Sequence, residues 1–400
     1  MTKRLGFCIL AFAVAACSRA GGPNAMPAAP AANALPIAPN AAGYPTVFAF
    51  DGTDGSEPEA PLLVRKNLLY GTTWYGGKSN CGVLFTLTSA GKQSVVYSFG
   101  SSGCNALGLT GTKKAIYGIT HGGGAYDKGA VFSDSSTGHQ SWSYSFKGGS
   151  DGENPEGAVT YLKNVVYGTT AYGGSACGGD GCGTIYKVAK GGKESVIYSF
   201  KGEKSSQTDG EMPTAGLLYF DGTFYGTASY GGAHSGGAVY TVSPSGVEKV
   251  IYSFESVKYD AQRPEASLIA VNGALYGTTV YGGTYGLGTV FSITPSGVEH
   301  VIHSFGSGSD GEEPAAKLLN VKGKLYGTTT AGGGSTNCTD GCGTVFEMST
   351  SGAETVLHDF AGGSDGATPE AGLTALKGKL YGTTNAGGKS NDGTIFALTP

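Results

Sequence analysis

The residues best placed to do chemistry in this 400-residue chain are carboxylates that recur beside prolines. Asp-Gly-x-x-Pro appears at Asp54, Asp151, Asp209, Asp310 and Asp365, and a glutamate follows a proline at Glu59, Glu156, Glu265 and Glu370. Brought together, ionised acids hold a hard cation such as Ca²⁺ with the help of carbonyl oxygens. With their pKa values driven apart, they act as acid and base in glycoside hydrolysis. A plainer role competes: Asp-Gly is a turn in which the Asp caps backbone N–H groups. A site-building acid need not recur in most copies of a repeat, so capping is the stronger reading of the recurrent acids. Departures from the repeat point more sharply to function. His121 stands where most copies have Tyr or Ala, and Tyr259 and Arg263 lie in a crossover that lost Asp-Gly. His303 and His358 replace the Tyr of a Tyr-Ser-Phe run, where a hydrogen-bonded packing role is expected. The chain has no nucleophile motif, no phosphate-binding loop and no close His-x-x-x-His spacing. The candidate binding residues are therefore Glu59, His121, Glu156, Arg263, Glu265 and Glu370. No catalytic residue, metal-ligand set or cofactor is assigned, and Ca²⁺ is the one ion the acids suggest.

These residues sit at fixed places in a repeating unit. A hydrophobic-Tyr-Gly run recurs with its Tyr at Tyr70, Tyr117, Tyr167, Tyr225, Tyr276, Tyr326 and Tyr381, roughly every 50 residues. A Gly pair follows each. A Gly-Thr-Val-Phe run or variant ends at Phe85, Phe132, Tyr186, Tyr240, Phe291, Phe346 and Phe396, and a Tyr-Ser-Phe run or variant ends at Phe99, Phe146, Phe200, Phe254, Phe305 and Phe360. Pro-x-Ala/Gly-x-Leu opens the unit, as at Pro213 to Leu217. Each run is short, aromatic and β-branched, and is bounded by Gly, Asn, Asp or Ser, which marks strands. Asp221-Gly222 and Asn272-Gly273 supply the left-handed positions of tight hairpins. Four strands in this period make a propeller blade. Gly inside the Tyr-Gly-Thr strand is expected to let neighbouring backbones approach closely.

The chain ends count the blades. Thr46 to Phe50 has the form of a Tyr-Ser-Phe strand and precedes the first complete unit, while the last unit stops after Ile395 to Pro400 without its fourth strand. The sequence therefore predicts an all-β, seven-bladed propeller of four-stranded antiparallel blades over residues 45–400, with the N-terminal strand completing the last blade. Closure hides edges that an open sheet would expose. Second-to-third-strand loops and crossovers share one face. That face holds the longer, variable loops and is the expected binding face.

The layout is similar to kelch repeats, although the kelch Trp of the last strand is replaced by Tyr-Ser-Phe. Leu-Tyr-Gly-Thr-Thr, Gly-Gly and Cys-Gly-Thr-Val-Phe more closely resemble the GloVer tandem repeat of bacterial choice-of-anchor proteins, over residues 46–400. That resemblance implies a surface or secreted repeat protein with varied means of anchoring, and it transfers no active site. Residues 1–16 read as a signal peptide: Lys3 and Arg4, then an apolar run too short to span a bilayer. Val14-Ala15-Ala16-Cys17 resembles the bacterial lipoprotein box, which implies cleavage before Cys17 and acylation of it. Ser18 in place of Asp implies the outer membrane. The alternative is an ordinary secretory signal and a secreted product. Residues 17–44, rich in Ala and Pro, form the expected tether.

Six cysteines follow the tether, and an even number outside the cytoplasm favours disulfides. Cys177 with Cys182, and Cys338 with Cys342, each share one second-to-third-strand loop. Cys81 and Cys104 lie in two loop types of the same face, so a third bridge is expected there. A four-Cys metal site would need both loop pairs at one ion, although they belong to blades 3 and 6. Charged residues are only 14% of the chain and no Lys/Arg run exists, so neither nucleic acid nor an anionic membrane surface is an expected partner. The composite expectation is a monomeric, cell-envelope-anchored binding module for a glycan or protein, touching the membrane through its lipid alone. The alternative is a secreted enzyme acting on carbohydrate through acids at the channel mouth. It requires two or three carboxylates that converge with shifted pKa values.

Overall fold

The computed structural model describes residues 46–134, 140–202, 209–306 and 309–400. The signal segment, Cys17 and the tether lie outside the described residues. Seven four-stranded antiparallel sheets follow one another along the chain. The first comprises Leu63–Arg65, Leu68–Thr72, Val83–Leu87 and Gln93–Ser98, in order from the inside outwards. The seventh takes Thr374–Leu376, Lys379–Thr384 and Thr394–Leu398 from the C-terminus and Thr46–Ala49 from the N-terminus. Phe48 pairs with Ile395 and Ala49 with Thr394, and the Phe50 N–H donates to Gly393 O at 3.0 Å. The N-terminal strand thus closes the ring.

Hairpin turns between the inner and second strands use left-handed pairs, such as Lys66 (φ 50°) with Asn67 (φ 62°) and Asp221 (φ 46°) with Gly222 (φ 83°). Such turns match the twist of the strands they join. The strand glycines serve a different end from the expected backbone approach. A Cβ on Gly71, Gly118, Gly277, Gly327 or Gly382 would occupy the space of the paired third-strand phenyl ring, and on Gly168 or Gly226 that of the tyrosine ring. Glycine here is a socket for an aromatic side chain on the neighbouring strand.

Seven apolar clusters hold the ring together, each shared by two consecutive blades. At every seam an outer-strand Phe meets the third-strand aromatic of the next blade. These pairs include Phe50–Phe85 at 5.3 Å across the closure and Phe360–Phe396 at 5.1 Å just before it. A polar clasp accompanies most seams. The second-strand Thr donates to a carbonyl of the next blade's inner segment: Thr169 to Ala215, Thr227 to Ala266, Thr278 to Ala316, Thr328 to Ala371 and, across the closure, Thr383 to Pro58. Blades 1 and 2 differ. The buried Thr72 hydroxyl has no partner there, and the Cys81–Cys104 disulfide links the two blades instead. The other disulfides are Cys177–Cys182 and Cys338–Cys342, each within one loop.

Candidate functional site

Each blade's inner segment reaches the channel through the residue before its proline. These residues are Glu57, Asn105 (where Pro is absent), Asn154, Met212, Arg263, Glu313 and Thr368, and all have φ between 54° and 61°. Left-handed backbone is costly for non-glycine residues and persists only when surroundings over-determine it. Hydrogen bonds on both sides do so here. The Arg263 N–H donates to Gly236 O of the preceding blade, and the Val280 N–H donates to Arg263 O. Glu57, Asn154, Met212, Glu313 and Thr368 are tied in the same way. The backbone is therefore fixed while the side chain differs from blade to blade, which gives a ring of variable positions around one mouth.

The residue after the proline faces the lumen. Glu59, Glu156, Glu265 and Glu370 come from blades 1, 3, 5 and 7, yet their charges act on one another, which places them around a shared space. Burial, then the charges of Glu370, Glu57 and Glu156, push the Glu59 carboxyl up to about 9. Burial pushes Glu370 up to about 7 against the hydrogen bond it accepts. Asn385 Nδ2 spans the two, donating to Glu59 Oε1 at 3.2 Å and Glu370 Oε2 at 3.4 Å. Burial also raises Glu265, with Arg263 opposing it through an Nε–Oε1 contact of 2.7 Å.

Aromatic rings flank these acids. The Arg263 guanidinium lies 5.5 Å from the ring centroids of both Tyr230 and Tyr281. The His121 ring is 5.1 Å from that of Trp74, its Nε2 is 3.5 Å from Glu156, and Asn154 Nδ2 donates to its carbonyl oxygen at 3.1 Å. The mouth thus joins all six sequence-derived candidates: Glu59, His121, Glu156, Arg263, Glu265 and Glu370. It adds Glu57, Glu313, Asn385, Trp74, Tyr230 and Tyr281. The added residues had a signal in the sequence, since each varies next to a constant Pro, Thr-Thr or Gly-Gly.

The crossover aspartates stand apart from this mouth as caps. Asp151, Asp209 and Asp260 accept from Tyr144, Tyr198 and Tyr252 hydroxyls at 2.7, 2.7 and 2.9 Å. His303 and His358 take over that contact, each with Nε2 at 3.0 Å from Asp310 or Asp365. Backbone N–H groups of Lys147, Lys201, Ser256 and Ala361 donate to the same acids. The crossover read as lacking Asp-Gly keeps the cap as Asp260-Ala261, because the Ala261 N–H still reaches Asp260 Oδ1 at 2.8 Å. Among the described residues no three His, Cys, Asp or Glu side chains gather at metal-binding distance. Beside the mouth, Glu255, Tyr259, Gln262 and His234 line an open groove of about 530 Å³.

A family model described as the Gloeobacter/Verrucomicrobia repeat matches residues 35–182, 104–272 and 249–400. No curated protein matches the chain. Among solved structures, a streptogramin B lyase aligns over 89% of this chain and 97% of its own, with a TM-score of 0.60 at 14% identity. Virginiamycin B lyase from Staphylococcus aureus aligns over 88% and 98%, with a TM-score of 0.58 at 12% identity. At these identities the likeness is one of fold.

Proposed function

Because the chain belongs to the Gloeobacter/Verrucomicrobia repeat family, a family of modular repeats, we propose that it is a binding protein of the bacterial cell envelope whose loop-rich mouth holds an uncharged glycan. The supporting observation is the Glu59–Asn385–Glu370 group beside the Tyr230 and Tyr281 rings. Sugar hydroxyls both donate and accept. A protonated carboxyl and a carboxamide answer both needs, where ionised carboxylates only accept. Aromatic faces pack the apolar face of a pyranose and add rigid contact area. The other glutamates of the opening, where they are ionised, disfavour anions, so neutral polymers fit better than acidic ones. Anchoring by acylated Cys17, with residues 17–44 as tether and the outer membrane as destination, belongs to the same proposal.

A glycan array probed with the full chain tests the reading. Retention of neutral oligosaccharides, weakened about ten-fold by Asn385→Ala through lost hydrogen bonds, supports it. Binding of anionic polymers alone, or of nothing, contradicts it. Palmitate labelling in a bacterial host, lost in Cys17→Ser, tests the anchor.

One observation favours a second reading. A carboxyl pair with one member near 9 and the other near 7 meets the condition set for acid–base catalysis on carbohydrate. In that case the bound glycan is cleaved with time, and Glu59→Gln keeps binding but stops cleavage.

A further inference from the structure

The crossover from blade 4 to blade 5 carries side chains where two of its counterparts carry glycine. From blade 2 to 3 and from blade 6 to 7, Gly148-Gly149 and Gly362-Gly363 take left-handed backbone ahead of the capping aspartate. Ahead of Asp260 stand Ser256-Val257-Lys258-Tyr259, and Tyr259 holds φ 67°. A bulky residue in that region is strained, and the strain persists only where surroundings impose it. Asp260 does so here. Its carboxylate accepts from the Ser256 N–H and hydroxyl at 2.8 and 3.0 Å, and its N–H closes the turn on Val257 O at 3.2 Å. The strain does not serve a core, because Tyr259 remains 55% exposed, with Lys258 Nζ 4.5 Å from its ring centroid.

Tyr259 lines the groove of about 530 Å³ together with Glu255, Gln262 and His234. That volume falls within the roughly 300–1,000 Å³ of small-molecule sites. Gln262 Nε2 donates to Glu255 Oε1, which orients both side chains. The groove is continuous with the mouth. Gln262 precedes Arg263 and pairs with Tyr281, and Gly282 and Gly283, which follow Tyr281, form a wall. His234 lies on the loop that carries Tyr230. The two loops that wall the groove thus bear the two rings that flank Arg263.

We infer that the groove is an outer subsite of the mouth, so that the ligand is a neutral oligosaccharide that runs from the mouth past Arg263 into the blade 4–5 crossover. This rests on the glycan reading above. The Tyr259 ring offers a rigid apolar platform to a further pyranose. The Gln262 carboxamide, Glu255 carboxylate and His234 imidazole supply donors and acceptors for its hydroxyls. A single sugar fills the mouth alone, and a longer one gains the groove.

Calorimetric titration of the full chain with glucose, mannose, xylose and N-acetylglucosamine series, each from monosaccharide to hexasaccharide, tests this. In a series that binds, affinity should rise about ten-fold with length, as two added hydrogen bonds give. Tyr259→Gly combined with Gln262→Ala should remove that gain and leave the monosaccharide's affinity unchanged. The melting temperature should not fall, because glycine takes this backbone without strain. Asn385→Ala, which acts at the mouth, should weaken every length. Affinity independent of length, or a gain that the groove variant keeps, overturns the inference and leaves the glycan reading standing. Binding of no series overturns both.

Discussion

Single side chains at the seams carry proton and hydroxyl chemistry that stability measurements can read. Tyr186 and Tyr240 sit where the other blades have Phe, and their hydroxyls are buried without a partner. Tyr186→Phe removes an unsatisfied group without opening a cavity and should raise stability by about 1 kcal/mol. Tyr240→Phe should do the same, and thermal melting checks both. Glu194, Glu248, Glu299 and Glu354 begin the outer strands of blades 3 to 6, each beside the capping aspartate of the preceding blade. Burial first, then that aspartate, pushes each up to about 7. Their folded pKa values exceed the unfolded value of 4.5, so the chain gains protons on folding between the two. The resulting stability is full below 4.5 and is lost as pH rises through about 7. The melting temperature should therefore fall from pH 5 to pH 8, and Glu248→Gln should flatten that slope. An unchanged slope in the variant would assign it to other groups.

At the scale of strands and loops, the seam between blades 1 and 2 is one of the two irregular seams and the one held by a disulfide. It lacks the threonine clasp and has a covalent link in its place. Closing a segment of 23 residues restricts the unfolded chain by about 3 kcal/mol, against about 2 kcal/mol for the separation of 5 in Cys177–Cys182. Cys81→Ser with Cys104→Ser should thus cost more than Cys177→Ser with Cys182→Ser in a denaturant titration. Strands, blade count and closure were legible beforehand because each strand type is a short aromatic run punctuated by Gly. The disulfides followed from which loops share a face. The socket role of Gly71 was not legible, because it depends on the pairing of Gly71 with Phe85, and register is a tertiary fact. The left-handed residues before the prolines were also hidden. Met212, Arg263 and Thr368 favour no such conformation, and the hydrogen bonds on both sides impose it.

For the whole molecule, the candidate site is made by closure itself. Glu59 belongs to blade 1, Glu370 and Asn385 to blade 7, and the N-terminal strand with Phe50 holds the two together. Phe50 is fully buried in that seam, so Phe50→Ala should cost about 3–5 kcal/mol and weaken glycan retention together with stability. A substitution equally buried but remote, Phe254→Ala, should cost similar stability and leave retention at low temperature intact. Clustered glutamates were visible in the sequence as a recurrence. Their place at the channel mouth followed from the ring, whereas the Glu59–Asn385–Glu370 contact did not, because it arises only when blades 7 and 1 meet. The most direct measurement is a ¹³C carboxyl NMR titration of Glu59 in the intact protein, assigned through Glu59→Gln. A midpoint near 9 is the result this account predicts, and one at the ordinary 4.5 would contradict the enclosed mouth.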